Sequence, residues 1–199
     1  MAQSKRRVFI VHGWDGHPEE GWFPWLKKEL EAKGFVVVVP QLPKPDEPRI
    51  RAWVPALEKA IGAPDERTYL VGHSMGCQTI ARYLSALPSG AKIGGAVFVA
   101  GYFRRLTNLE DDDVVRSVVH EWLATPLDLA AVRTHLGKSV ALFSDDDPYV
   151  PLDNKDDFAE ILGSRIVIKH GKGHFSGSTG TTELPDALRA VIELGGERA

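Results

Sequence analysis

Gly72-His73-Ser74-Met75-Gly76 follows directly on the apolar run Tyr69-Leu70-Val71. A serine flanked by glycine two positions to either side, at the end of a buried strand, is the pattern of a nucleophile elbow. In such a turn the strand passes sharply into a helix, the serine backbone is strained, and the hydroxyl is lifted out of the sheet. Side chains two positions away would collide there, so glycine fits. Read as a phosphate loop, the same glycines would need G-x-x-x-x-G-K-[ST], and no lysine follows Gly76; a dinucleotide fingerprint would need a third, correctly spaced glycine. A serine hydroxyl alone is a weak nucleophile, so the pattern asks for a base and an orienting acid downstream.

Two segments can supply them. An expected strand over 139–143 empties into Ser144-Asp145-Asp146-Asp147-Pro148-Tyr149-Val150-Pro151, and another over 165–169 into His170-Gly171-Lys172-Gly173-His174-Phe175. Parallel α/β folds bring chemistry to the C-terminal ends of their strands, and the chain order Ser, Asp, His is that of α/β-hydrolases. The residues alone leave rivals. Asp145 and Asp146 compete with Asp147 as the acid, and also read as caps of a helix near Leu152 or as solvated loop residues. His170 competes with His174 as the base. The two histidines can also be read as metal ligands, although neither a helix nor an adjacent acidic ligand accompanies them. His12 and His73 read as structural residues that shape the loops of the site.

These residues need elements to hold them, and the hydrophobic pattern provides an alternation from end to end. Short apolar runs predict strands over 8–12, 35–39, 68–71, 95–100, 139–143 and 165–169. Amphipathic spacing predicts helices over 22–33, 50–61 (with Pro55 in its first turn or at a kink), 77–87, 126–136, 152–162 and 183–194. Strands buried on both faces and separated by helices predict an α/β fold with a doubly wound, mostly parallel sheet of about six strands. Residues 1–199 read as one domain. Residues 102–125 interrupt the rhythm, being longer than an ordinary connection. They read as a small cap over the site or as a loop packed beside the sheet, with a helix over 114–123 and the acidic run Glu110-Asp111-Asp112-Asp113 at its N-terminus, where negative charge is favoured.

A chain of 199 residues, 43% apolar, 26% charged and of net charge −3, is an ordinary globular protein with no electrostatic signature of a nucleic-acid or membrane partner. Lys5-Arg6-Arg7 is too short to count as a targeting signal, and no apolar stretch is long enough to span a bilayer. Cys77 is the lone cysteine, so no internal disulfide partner exists, which suits a reducing cytoplasm. It reads as a small buried hydrophobe at a helix start.

The chain as a whole resembles a minimal α/β-hydrolase, and within that fold the small serine hydrolases related to retinoblastoma-binding protein 9 and their bacterial relatives. The resemblance rests on Val11-His12-Gly13-Trp14, the stretch GWFPWLKKEL over 21–30, Leu42-Pro43-Lys44-Pro45, the Ser74 motif, the 144–151 segment and Gly173-His174-Phe175. It implies a serine hydrolase acting on a small-molecule acyl substrate, with a short or absent lid and no metal or organic cofactor. By motif position it makes Ser74 the nucleophile, Asp147 the acid and His174 the base. It also implies an oxyanion hole built from the backbone N–H groups of Met75 and Trp14. Gly13 and Gly16 would allow close approach in that loop, while the bulk of Trp14 would narrow the acyl pocket. Trp14, Tyr102, Phe103, Trp122, Tyr149 and Phe175 are candidates to line the pocket, whereas Trp22 and Trp25 read as core. Pocket-protein binding through L-x-C-x-E is not expected, since Gly62-Ala63-Pro64-Asp65-Glu66 lacks the leucine and the cysteine. The other functional class is a binding or regulatory protein that keeps the fold with little turnover; a complete Ser, His and Asp set argues for chemistry.

Overall fold

A computed structural model of the chain describes residues 5–196, so the ends of the expected 1–199 domain, 1–4 and 197–199, lie outside the described residues. Six strands form one sheet in the order β2-β1-β3-β4-β5-β6, with every neighbouring pair parallel. They are β1 (Arg7–Val11), β2 (Val36–Val38), β3 (Thr68–His73), β4 (Gly95–Val99), β5 (Lys138–Ser144) and β6 (Arg165–Lys169). The helices are α1 (Phe23–Ala32), α2 (Ile50–Ile61), α3 (Met75–Ser85), α4 (Asp113–Ala124), α5 (Leu129–His135), α6 (Lys155–Glu160) and α7 (Pro185–Leu194). This is the doubly wound α/β architecture predicted from the periodicity.

Alternation along the strands sorts the core into two halves. Phe9, Val11, Leu70, Phe98 and Phe143 pack towards α2 to α6, through Trp53, Leu57, Trp122, Val132 and Phe158. Val8, Ile10, Val71, Val97 and Leu142 pack towards α1 and α7, through Phe23, Leu26, Leu30, Ala187 and Val191. The central strands β3 and β4 are buried at every residue. The edge strand β2 buries only Val37 of its three valines, which packs in the half of the core with α1, while Val36 and Val38 point to the opposite face and are exposed.

Several boundaries differ from the sequence expectation for local reasons. Pro55 sits inside α2, past its first turn, and the helix continues through it. The predicted 126–136 helix starts only at Leu129, where the Asp128 carboxylate caps it by accepting from the Ala131 N–H at 2.9 Å. The predicted 152–162 helix opens as a 3-10 turn, Leu152–Asn154, behind Pro151. Asp145 and Asp146 do not cap it.

Within 102–125 the expected helix forms as α4. Asp112 from the acidic run is its cap, accepting from the Val114 and Val115 N–H groups at 2.8 and 3.1 Å. The segment is tied down along its length. Asn154 Oδ1 accepts from the N–H groups of Phe103 and Arg104, and the Thr107 N–H donates to the Tyr149 carbonyl. Trp122 packs edge-on against Trp53, ring centres 5.9 Å apart, and donates from Nε1 to the Pro48 carbonyl. From α3, Arg82 donates to the carbonyls of Trp122 and Thr125 at 2.8 and 2.9 Å.

Candidate active site

The strand order reverses around β1, which has β2 on one side and β3 on the other. In open parallel sheets the crevice outside the carboxyl ends at such a switch point is where ligands bind. Ser74 leaves the end of β3 there, and residues 12–16 leave the end of β1.

Ser74 has φ +51 and ψ −119, a conformation an L-residue rarely takes, and α3 begins at the next residue. Its N–H donates to the Val99 carbonyl at 2.9 Å, which pins the turn to β4. The flanking glycines are required by close approach. A Cβ on Gly76 would lie 2.3 Å from the Val11 carbonyl oxygen, and one on Gly72 would lie 2.8 Å from the Cys77 nitrogen. The serine is therefore carried by a turn that its neighbours hold in a strained state. Cys77 is fully buried below it, and burial pushes its thiol well above the ordinary thiol range, so it stays protonated.

The loops after β5 and β6 form two separate His–Asp pairs. Parallel register sets Ser144 opposite Lys169, so the next residues out, Asp145 and His170, meet with Oδ2 and Nδ1 2.5 Å apart. That pair is at the surface, the His170 side chain being 88% exposed. The His170 partnership and the Gly171 N–H hold the Asp145 carboxyl below its usual range. Asp146 accepts from the Ser144 hydroxyl and the Gly173 N–H, which lower its carboxyl likewise. Asp147 is different. Its side chain is 2% exposed, and Oδ1 accepts from the N–H groups of Tyr149 and Val150 at 2.9 and 3.0 Å. Oδ2 lies 2.8 Å from His174 Nδ1. Because a carboxylate only accepts, Nδ1 carries the proton and Nε2 is left as the acceptor of the ring. The two histidines thus have different aspartate partners and share none.

Ser74 and His174 line one cavity of about 590 Å³, together with Gly13, Trp14 and Met75. The loop after β1 is held by His12, whose Nδ1 donates to the Gly13 carbonyl at 2.8 Å while Nε2 accepts from the Leu42 N–H at 3.0 Å. That pattern requires a neutral ring, and burial lowers the His12 pKa accordingly. Trp14 turns its indole outward to the Asp46 carbonyl at 3.0 Å. A Cβ on Gly13 would lie 3.1 Å from Ser74 Cβ, so the loop backbone passes directly beside the serine. The N–H of Met75, first residue of α3, has no intrahelical acceptor. Among the described residues the Trp14 N–H has no backbone acceptor either.

The walls correct part of the aromatic expectation. Trp14, Tyr102 and Tyr149 line the cavity, but Phe103, Trp122 and Phe175 do not. Phe103 stacks on Phe158, ring centres 4.5 Å apart, while Trp122 and Phe175 are fully buried in the two halves of the core. Residues 102–125 supply one wall through Leu106, Leu109, Val114 and Val115. The sequence reading also missed Glu20, half-buried in the cavity, whose carboxyl is raised chiefly by burial. It lies in an unpatterned connection, where nothing marks it. Asp15, Asp46, Glu110 and Asp112 add further carboxylates to the lining, and among the described residues no Lys or Arg joins them. Among the described residues no helix is long and apolar enough to cross a membrane.

A family profile described as serine hydrolase matches residues 8–193. The YdeN protein of Bacillus subtilis (strain 168) is 32% identical over 181 residues, covering 90% of this chain and 91% of that protein. The serine hydrolase RBBP9 of Rattus norvegicus is 25% identical over 196 residues, covering 98% of this chain and 97% of its own. The crystal structure of the B. subtilis ydeN gene product superposes with a TM-score of 0.87 at 29% identity, over 98% of this chain and all of that one. The chain belongs to the serine hydrolase family, and is a hydrolase with the α/β-hydrolase fold.

Proposed function

We propose that this hydrolase cleaves small esters or related acyl compounds by nucleophilic catalysis at Ser74, with His174 as base and Asp147 as its orienting acid. The observation that carries this is a serine in a left-handed strand-to-helix turn lining the same cavity as a histidine whose Nδ1 is bound by a buried carboxylate. In this reading Ser74 Oγ attacks the acyl carbon as its proton passes to His174 Nε2. The carbonyl oxygen becomes an oxyanion, which accepts hydrogen bonds from the Met75 and Trp14 N–H groups. Collapse expels the alcohol, which takes the proton from His174, and leaves an acyl-serine. Water then repeats the sequence and returns the acid product and free Ser74. Asp147 keeps the ring in the productive tautomer and stabilises the imidazolium.

In this reading the chain is a single catalytic domain in which 102–125 supplies one wall of the cavity. The carboxylate lining favours neutral or cationic substrates over anionic ones. A cytoplasmic setting accords with the lone Cys77. The test is labelling with a fluorophosphonate probe. Wild type is expected to label stoichiometrically and Ser74→Ala not at all, with unchanged circular dichroism. Labelling of the folded mutant at another serine defeats the assignment, and an unlabelled wild type defeats the acyl-serine mechanism.

A further inference from the structure

His73, the last residue of β3, is 5% exposed, and it joins the two halves of the site. Its Nε2 lies 2.8 Å from the backbone carbonyl oxygen of His174. A carbonyl only accepts, so Nε2 carries the proton and donates it. The ring is wedged edge-on against Trp22 and Phe23, with centre separations of 6.0 and 6.2 Å, and lies 5.0 Å from the His174 ring. The ionisable groups around it are His174, Asp147 and His12. Burial first, then the neighbouring His174, pushes its pKa down to about 3, so the buried ring is held neutral.

The loop that receives this bond does not hold its shape by local preference. Gly171 and Gly173 have φ +64 and +50, and Phe175, which is not glycine, has φ +53. A left-handed non-glycine residue is strained and persists only where its surroundings over-determine it. Trp22 Nε1 donates to the Phe175 carbonyl at 3.0 Å, just after His174, and Asp146 accepts from the Gly173 N–H at 2.8 Å, just before it. At His174 itself, the backbone is held by the His73 bond.

We propose that His73 is a positioning residue for the reaction: its Nε2–H ties the backbone of the base to the strand that carries the adjacent nucleophile, so that this bond helps to set the distance between them, beside the bonds from Trp22 and to Asp146 and Asp147. The proposal rests on the reading of His174 as the base. A ring displaced by about 1 Å is enough to cost about 10²-fold in rate while leaving the substrate pocket intact.

The experiment compares His73→Gln, His73→Asn, His73→Leu and His174→Ala for kcat and KM on p-nitrophenyl acetate, each with a thermal melt. The Gln amide nitrogen reaches the place of Nε2, whereas the Asn amide stops about one bond short and Leu donates nothing. The expected result is kcat within a few-fold of wild type for Gln, a loss of roughly 30- to 100-fold for Asn and Leu, and KM within about twofold throughout. The low-field imidazole N–H proton of the His174–Asp147 pair should stay sharp in the Gln variant and broaden in the Asn variant. If Leu fails to fold, the Asn and Gln pair alone decides. Equal kcat in those two, or a loss confined to KM, overturns the proposal. A His174→Ala enzyme with full activity defeats the underlying reading instead, and is distinguished by leaving His73 without a base to position.

Discussion

Replacing Asp147 by Asn should stop the reaction while leaving the fold in place, and the structure shows why the isostere cannot adapt. Oδ1 of Asp147 accepts two backbone N–H groups, from Tyr149 and Val150. An asparagine must turn its carbonyl oxygen to those two donors, since the reverse would set its NH₂ against them. The NH₂ then faces His174 Nδ1, where the carboxylate oxygen had been 2.8 Å away. Two donors cannot share that contact, so His174 moves its proton to Nε2, and in the proposed mechanism it would then offer Ser74 a donor instead of an acceptor. Loss of the productive tautomer in such a triad costs on the order of 10⁴ in kcat, or about 5.4 kcal/mol in the barrier. The buried amide keeps both backbone hydrogen bonds, so the melting temperature should shift by only a few degrees. Asp145→Asn removes the partner of an exposed histidine and should retain kcat within about threefold, since exposed pairs contribute little. The assay is kcat on p-nitrophenyl acetate with a parallel melt. A kcat for Asp147→Asn above a tenth of wild type, or an equal loss in Asp145→Asn, would refute the reasoning.

Three further outcomes are expected. Gly76→Ala would drive a methyl to 2.3 Å from the Val11 carbonyl oxygen in the central sheet, where neither backbone can yield. It should cost about 3 kcal/mol or more and lower the melting temperature by roughly 6–12 °C, so an unchanged melt would refute the close approach. His73 has a folded pKa of about 3 against an ordinary 6.5, so between those values the unfolded chain binds a proton that the native one does not. Stability contributed by the neutral ring is therefore present above about pH 6.5 and is lost as pH falls towards 3, at up to about 1.4 kcal/mol per pH unit. Urea midpoints at pH 7, 6 and 5 should fall more steeply for wild type than for His73→Gln; parallel slopes would contradict this. Finally, the carboxylate lining should make a p-nitrophenyl hemisuccinate roughly tenfold poorer in kcat/KM than the neutral butyrate at low salt, with the gap narrowing as salt screens it. A gap indifferent to salt would point to shape rather than charge.

Local chemistry made much of this chain readable in order. Strand and helix periods differ, so alternating apolar runs announced a parallel sheet wound on both sides. A serine between two glycines announced a strained turn, because only glycine tolerates backbone contacts as short as those at Gly72 and Gly76. That the acidic run suits the N-terminus of α4 was legible from helix electrostatics, but which of its residues caps the helix, Asp112, was fixed by the structure. What meets what across the molecule was not legible. Three successive aspartates and two histidines four residues apart have the same chemistry in any order, and only the register of β5 with β6 pairs Asp145 with His170. Only the left-handed turns at Gly171 and Gly173 bring His174 back to Asp147. Phe103 and Phe175 stand near strand ends in sequence and Trp122 on the helix of the inserted segment, yet all three pack into the core, a choice made by the packing of whole helices. Glu20 and the His73 bond arise from contacts between distant segments. Such contacts carry no periodicity, so the sequence supplied the groups and the tertiary fold decided their partners.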